Sequence, residues 1–106
     1  MKVNISESLT DKINIVNSIE TFLKNDNRVA SAWLFGSFAR GEQKVDSDID
    51  LMVEMNNNKK YSMFDILDIS FLLSNIIKRK IDLVEKDCLQ DFAMAKAKND
   101  LIKIYG

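Results

Sequence analysis

Histidine is absent from this 106-residue chain, and no other gap in its composition removes more chemistry. Serine-histidine and cysteine-histidine nucleophilic machinery cannot be assembled from it, and no imidazole is available to ligate a metal. Cys88 is the one cysteine, so neither an internal disulfide nor a thiolate zinc site can form. It reads as a small buried hydrophobe, since no basic partner is evident. Proline is missing too, which leaves helix ends without their firmest stop signal. No apolar run approaches the ~20 residues of a membrane span, and the N-terminus lacks a signal-peptide layout, so a cytoplasmic protein is expected. Charge of neither sign dominates: 15 Lys and Arg face 16 Asp and Glu, a net charge of −1. That argues against a broad basic surface tracking nucleic acid, and no direct nucleic-acid contact is expected.

What remains is 46% apolar and 29% charged, the balance of a soluble globular protein. The length suits one domain over residues 1–106 with a single core. The available chemistry is that of oxygen, from carboxylates, hydroxyls and backbone amides. Such ligands favour hard cations, Mg²⁺ or Mn²⁺.

Hydrophobic spacing lays out the elements. Leu9, Ile13, Val16, Ile19 and Leu23 recur at steps of three and four, predicting a helix from about Ser6 to Lys24 that ends at Asn25-Asp26-Asn27. Val29 to Phe35 reads as a buried strand with Trp33 in the core, and Phe38-Ala39-Arg40 as a brief helical turn. Asp48 to Met55 is a second strand, with Ile49, Leu51 and Val53 on its core face. Tyr61 to Lys78 predicts an unusually apolar helix, one side lined by Phe64, Leu67, Phe71 and Ile76. A helix apolar over so much of its circumference is deeply buried or meets a partner. Asp65 and Asp68 read as its solvated face, and Lys78-Arg79-Lys80 as a solvated helix end favoured by the dipole. Ile81 to Val84 is a third strand. Asp87 resembles an N-cap, with Gln90 completing a capping box, for a helix to about Lys98; Leu101 to Tyr105 adds a short edge strand.

The chemistry centres on Gly36-Ser37, a spacer of ten residues, and then Asp48-Ile49-Asp50-Leu51. Alternate residues of a strand share a face, so Asp48 and Asp50 point the same way, their Cα atoms roughly 6.6 Å apart. Two carboxylates so placed suit a pair of divalent cations about 3.5–4 Å apart. Asp82 lies inside an apolar strand, where a charge is costly unless compensated. If that strand adjoins the Asp48–Asp50 strand, three carboxylates meet, and divalent cations relieve their repulsion. Asp82 would then complete a metal shell and help activate an attacking hydroxyl. The glycine-serine turn can offer backbone N–H groups to a triphosphate, with the Ser37 hydroxyl adding one bond and Arg40 clamping the same phosphates. Ser47 caps or orients the loop before Asp48 and is grouped with Gly36, Ser37 and Arg40 as nucleotide-binding. Plainer readings stand beside these: Asp48 and Asp50 as solvated acids on an open edge, Asp82 salt-bridged to Lys80 or Arg79, Arg40 paired with Glu42 or Asp46.

The run Leu34-Phe35-Gly36-Ser37-Phe38-Ala39-Arg40-Gly41, followed by Ser47-Asp48-Ile49-Asp50-Leu51, resembles the signature of the DNA polymerase β nucleotidyltransferase superfamily. With the short length and the later Ile81-Asp82-Leu83-Val84, it resembles the minimal nucleotidyltransferases (MNT), many of which are antitoxins of HEPN ribonuclease toxins. The resemblance implies an α+β fold, a mixed β-sheet of about three to five strands flanked by helices. It further implies ATP with two Mg²⁺ ions, a catalytic and metal-binding triad at Asp48, Asp50 and Asp82, and transfer of AMP to a tyrosine of a HEPN partner in a hetero-oligomer. A partner would supply the acceptor surface that larger relatives carry as an extra domain, with the apolar Tyr61–Lys78 helix as its contact. Two alternatives remain open: a small hydroxylated acceptor, as in aminoglycoside nucleotidyltransferases, and a non-catalytic antitoxin acting by occlusion.

Overall fold

The computed structural model describes residues 4–41, 47–57, 59–88 and 100–106. Helix α1 spans Asn4–Asp26, overrunning the periodic stretch at both ends. Its C-terminus closes on Asn27, which takes a left-handed φ of 71° and donates its N–H to the Leu23 carbonyl at 3.2 Å. Asparagine tolerates that conformation better than most residues, so it ends a helix where no glycine is present.

Strand β1 (Val29–Phe35) runs straight into the one-turn helix α2 (Gly36–Arg40), and β2 follows at Ile49–Met55. Helix α3 is Met63–Ile77, β3 is Ile81–Glu85, and β4 is Ile102–Tyr105. The four strands form one sheet in the order β3-β2-β1-β4. β1 is antiparallel to β2 and to β4, whereas β2 and β3 are parallel. The sheet is therefore mixed, as expected, and the parallel pair needs α3 as its crossover.

One face of the sheet carries the core. Ala32 and Leu34 of β1, Ile49, Leu51 and Val53 of β2, and Ile81 of β3 pack beneath Ile15, Ile19 and Leu23 of α1 and Ile66, Ile69 and Leu73 of α3. The expected β2 core face is borne out. The α1 stripe holds at Val16, Ile19 and Leu23, and for α3 the spacing had left the core-facing side open. In α1 the buried stripe starts at Ile15, and Leu9 and Ile13 are exposed. At ~1.5 Å per residue α1 outruns the strands, and its first turns reach past the sheet toward α2. In α3 the set Ile66, Ile69 and Leu73 is buried, while Met63, Phe64, Leu67, Phe71 and Ile76 face outward. Periodicity alone could not choose between two apolar faces of one cylinder.

The α3 N-terminus holds a reciprocal capping box: Ser62 Oγ accepts from Phe64 N, and Asp65 accepts from Ser62 N at 2.9 Å. Its acid is Asp in place of the usual Glu or Gln, which hid it from a pattern search. Asp65 and Asp68 are not simply solvated. Both accept from Arg28, which also forms a two-pronged bond with Asp26 at 2.7 and 2.8 Å. Trp33 is only partly buried and lies between the Lys86 and Lys103 ammonium groups, 5.4 and 5.8 Å from its ring. Lys86–Cys88 make a single tight turn. The helix expected from Asp87 through Gln90 to Lys98, like the Cys88 side chain, lies outside the described residues. The expected edge strand is present as β4.

Candidate functional site

The parallel pairing of β2 with β3 builds the site. Its register sets Ile49 beside Ile81, Asp50 beside Asp82, and Leu51 beside Leu83. Adjacent strands lie ~4.8 Å apart, so Asp50 and Asp82 are direct neighbours. Asp48 immediately precedes β2, its side chain exposed. Three aspartates from two segments of sequence thus lie near one another where the β2–β3 pairing begins.

Gly36 closes the group from the β1 side. It adopts φ 72°, and a Cβ built on it would overlap the Asp50 carboxylate, Oδ2 first. Two independent constraints therefore demand glycine: the left-handed backbone and the contact with Asp50. The next residue, Ser37, opens α2, and the helix ends on Gly41, whose φ of 74° makes the C-cap. Behind α2, Phe38 is fully buried and stacks under the Arg79 guanidinium at 4.9 Å, while Arg79 pairs with Asp11 of α1 at 2.8 Å. Lys12 Nζ donates to the Ala39 carbonyl at 3.4 Å. The turn that carries Gly36 and Ser37 is thereby braced against α1 and the end of α3. Arg79 accordingly belongs to the support of the site, and the solvated helix end expected for the 78–80 run does not describe it.

Electrostatics agree with the geometry. Burial raises the Asp50 carboxyl above the ordinary aspartate range, repulsion from Asp82 and Asp48 adds to it, and Arg40 opposes it. Each of these groups is therefore within the field of Asp50. Arg40 is exposed and ion-paired to Asp100 at 3.0 Å, sixty positions along the chain, a partner local sequence offered no way to foresee. The alternative partners Glu42 and Asp46 lie outside the described residues. Ser47 directly precedes Asp48 and is half-buried.

One member of the site was missed. Lys80 Nζ stands 3.8 Å from Asp48 Oδ2 and 3.9 Å from Asp82 Oδ1. The signal was available: Lys80-Ile81-Asp82 alternates at period two, so lysine and aspartate share a face. Among the described residues no three carboxylate or thiolate side chains are arranged to hold a metal ion. Lys80 bridges two of the three acids. The donor set nonetheless fits a hard divalent cation. It is all oxygen, it clusters negative charge around a partly buried Asp50, and the place of a side chain at Gly36 is taken by that carboxylate.

No helix among the described residues is long and apolar enough to cross a membrane. The family described as "Polymerase beta, Nucleotidyltransferase" matches residues 17–105. A Methanocaldococcus jannaschii protein, provisionally named a protein adenylyltransferase, is 35% identical over 92% of this chain and 99% of its own length. Among solved structures, a chain of a toxin–antitoxin complex with AMP-PNP superposes with a TM-score of 0.69 at 22% identity, covering 86% of this chain and 73% of that one. A chain from the complex of a tri-AMPylated Shewanella oneidensis HEPN toxin with its MNT antitoxin gives a TM-score of 0.69 at 17% identity, over 90% and 72% of the two chains. These last two speak for the fold, and the sequence matches speak for descent. With its mixed sheet, flanking helices and matched sequence, this chain belongs to the polymerase β nucleotidyltransferase family and is a nucleotidyltransferase.

Proposed function

We propose that the chain transfers AMP from ATP to a protein hydroxyl, and that the acceptor is a tyrosine of a HEPN ribonuclease toxin for which it serves as antitoxin. The observation carrying this reading is the register of Asp50 against Asp82, with Asp48 beside them and Gly36 packed on Asp50. Asp48, Asp50 and Asp82 would hold two Mg²⁺ ions. When bound, the ions neutralise carboxylates and polyphosphate and polarise the phosphorus under attack. Gly36 and Ser37 present backbone N–H groups and a hydroxyl to the phosphates, with Ser47 orienting the approach to Asp48. Arg40 exchanges Asp100 for phosphate oxygens as a fork of donors. The acceptor oxygen forms its bond to the α-phosphorus while the bond to the bridging oxygen breaks, pyrophosphate leaves, and the hydroxyl proton passes to a carboxylate of this face.

The protein-acceptor reading draws on the name of the M. jannaschii relative and on the AMP-bearing HEPN toxin of the S. oneidensis complex. It also agrees with the outward apolar face of α3, where Phe64 is 81% exposed and Phe71 64%. Large apolar side chains so exposed mark an interaction surface, and Phe64, Leu67 and Phe71 follow helix-in-groove spacing. The test is transfer of label from α-phosphate-labelled ATP to a purified HEPN-domain protein. Asp48→Asn with Asp50→Asn lowers transfer roughly 10³-fold or more, because residues acting as a unit fail together. Full toxin neutralisation by that double variant would replace catalysis with binding. Label on a small hydroxylated molecule, and none on protein, would move the acceptor.

A further inference from the structure

Among the described residues of the carboxylate face, Lys80 is left unused by the reaction above, and its position is held by backbone. The Ile49 N–H donates to the Lys80 carbonyl at 3.0 Å, which sets Lys80 alongside Asp48 as the β2–β3 pairing begins. Two residues on, Asp82 projects from the same face of β3. The ammonium thus reaches acids of two different segments at once, 3.8 Å from Asp48 and 3.9 Å from Asp82. Its side chain is 69% exposed, so no packing detains it there; the attraction of the two anions does. A cation entering between Asp48 and Asp82 has to displace it.

We propose that Lys80 is a built-in counter-cation that competes with divalent metal for Asp48 and Asp82, so that metal binds more weakly without nucleotide than with it. The proposal rests on the reading of these aspartates as metal-binding. In the nucleotide-free protein Lys80 neutralises part of the repulsion among Asp48, Asp50 and Asp82, and a bare ion gains less from entering. A polyphosphate brings several negative charges of its own. It favours the ion's entry and gives the flexible lysine stem a new anion to turn toward. Exposed ion pairs of this kind are individually weak, so the competition amounts to a factor of a few.

The experiment is a Mn²⁺ titration followed by electron paramagnetic resonance, without ATP and then with it, on wild type, Lys80→Met, Lys80→Arg and Asp48→Asn. Thermal melts verify the fold of each. Without ATP, Lys80→Met binds Mn²⁺ roughly two- to five-fold more tightly than wild type. Lys80→Arg stays close to wild type, and the difference shrinks as salt is raised. With ATP the advantage of Lys80→Met disappears. A folded Lys80→Met protein whose ATP-free affinity is unchanged or weaker overturns the role of Lys80, while wild type and Asp48→Asn still differ. Should wild type and Asp48→Asn bind Mn²⁺ equally, the metal-binding reading falls and this proposal with it.

Discussion

Gly36 and Asp50 concentrate the conflict between stability and chemistry into one contact. Alanine at position 36 meets both a left-handed φ of 72° and the Asp50 carboxylate. Gly36→Ala is therefore expected to lower stability by about 1–3 kcal/mol and to reduce AMP transfer by more than the melt accounts for, because Asp50 must move. A thermal melt and a transfer assay on the same preparation check both. Asp50→Asn acts in the opposite sense. Burial and the neighbouring acids raise the Asp50 carboxyl, so its charged form is disfavoured in the fold. A raised acid binds more protons folded than unfolded, and stability is lost as pH climbs from the unfolded pKa through the folded one. Asp50→Asn is therefore expected to raise the melting temperature at neutral pH while abolishing transfer. A melt unchanged at pH 7 contradicts this account.

The turn between α1 and β1 is tied to α3 by Arg28, and the tie is sensitive to acid. Arg28 bonds Asp26, Asp65 and Asp68, which brings two sequence-distant helices to one guanidinium. The Arg28 side chain hydrogen bond holds Asp26 below the ordinary aspartate range against the opposing effect of burial. A depressed acid contributes stability that is present above its unfolded pKa and lost as pH falls through the folded value. Arg28→Met should cost about 1–3 kcal/mol at neutral pH. The gap between variant and wild type should narrow below about pH 4, where denaturant melts across pH would show it. The helix α2 has a comparable brace in Arg79, whose guanidinium covers Phe38 and reaches Asp11. Strand alternation and the glycine turn were legible because each is local. The braces were not, because Arg28 and Asp68, or Arg79 and Asp11, meet only after the chain has folded back.

Across the whole molecule, a sheet covered by two helices leaves α3 with more apolar surface than one core can use. Ile66, Ile69 and Leu73 face the sheet, and the opposite side still carries Phe64, Leu67 and Phe71. Replacing exposed side chains costs a fold little, so Phe64→Ser with Phe71→Ser should leave stability within about 0.5 kcal/mol. If this face docks the acceptor, the same pair weakens capture of the HEPN protein roughly ten-fold or more. Pull-down or calorimetry with the partner checks the second effect, and unaltered affinity moves the docking surface elsewhere.

Period-two alternation and a short turn motif are properties of neighbouring residues. They sufficed to identify the strands, to place Asp48 and Asp50 on one face, and to single out Gly36. Side-chain periodicity likewise located α1 and α3 but could not say which way α3 was rolled, since that depends on what lies beneath. The pairing of Asp50 with Asp82, the lodging of Lys80 between Asp48 and Asp82, and the bond from Arg40 to Asp100 required strands and termini far apart in the chain to come together. Register between β2 and β3 is set by packing and backbone hydrogen bonds along the whole pair, and no single stretch of residues contains it.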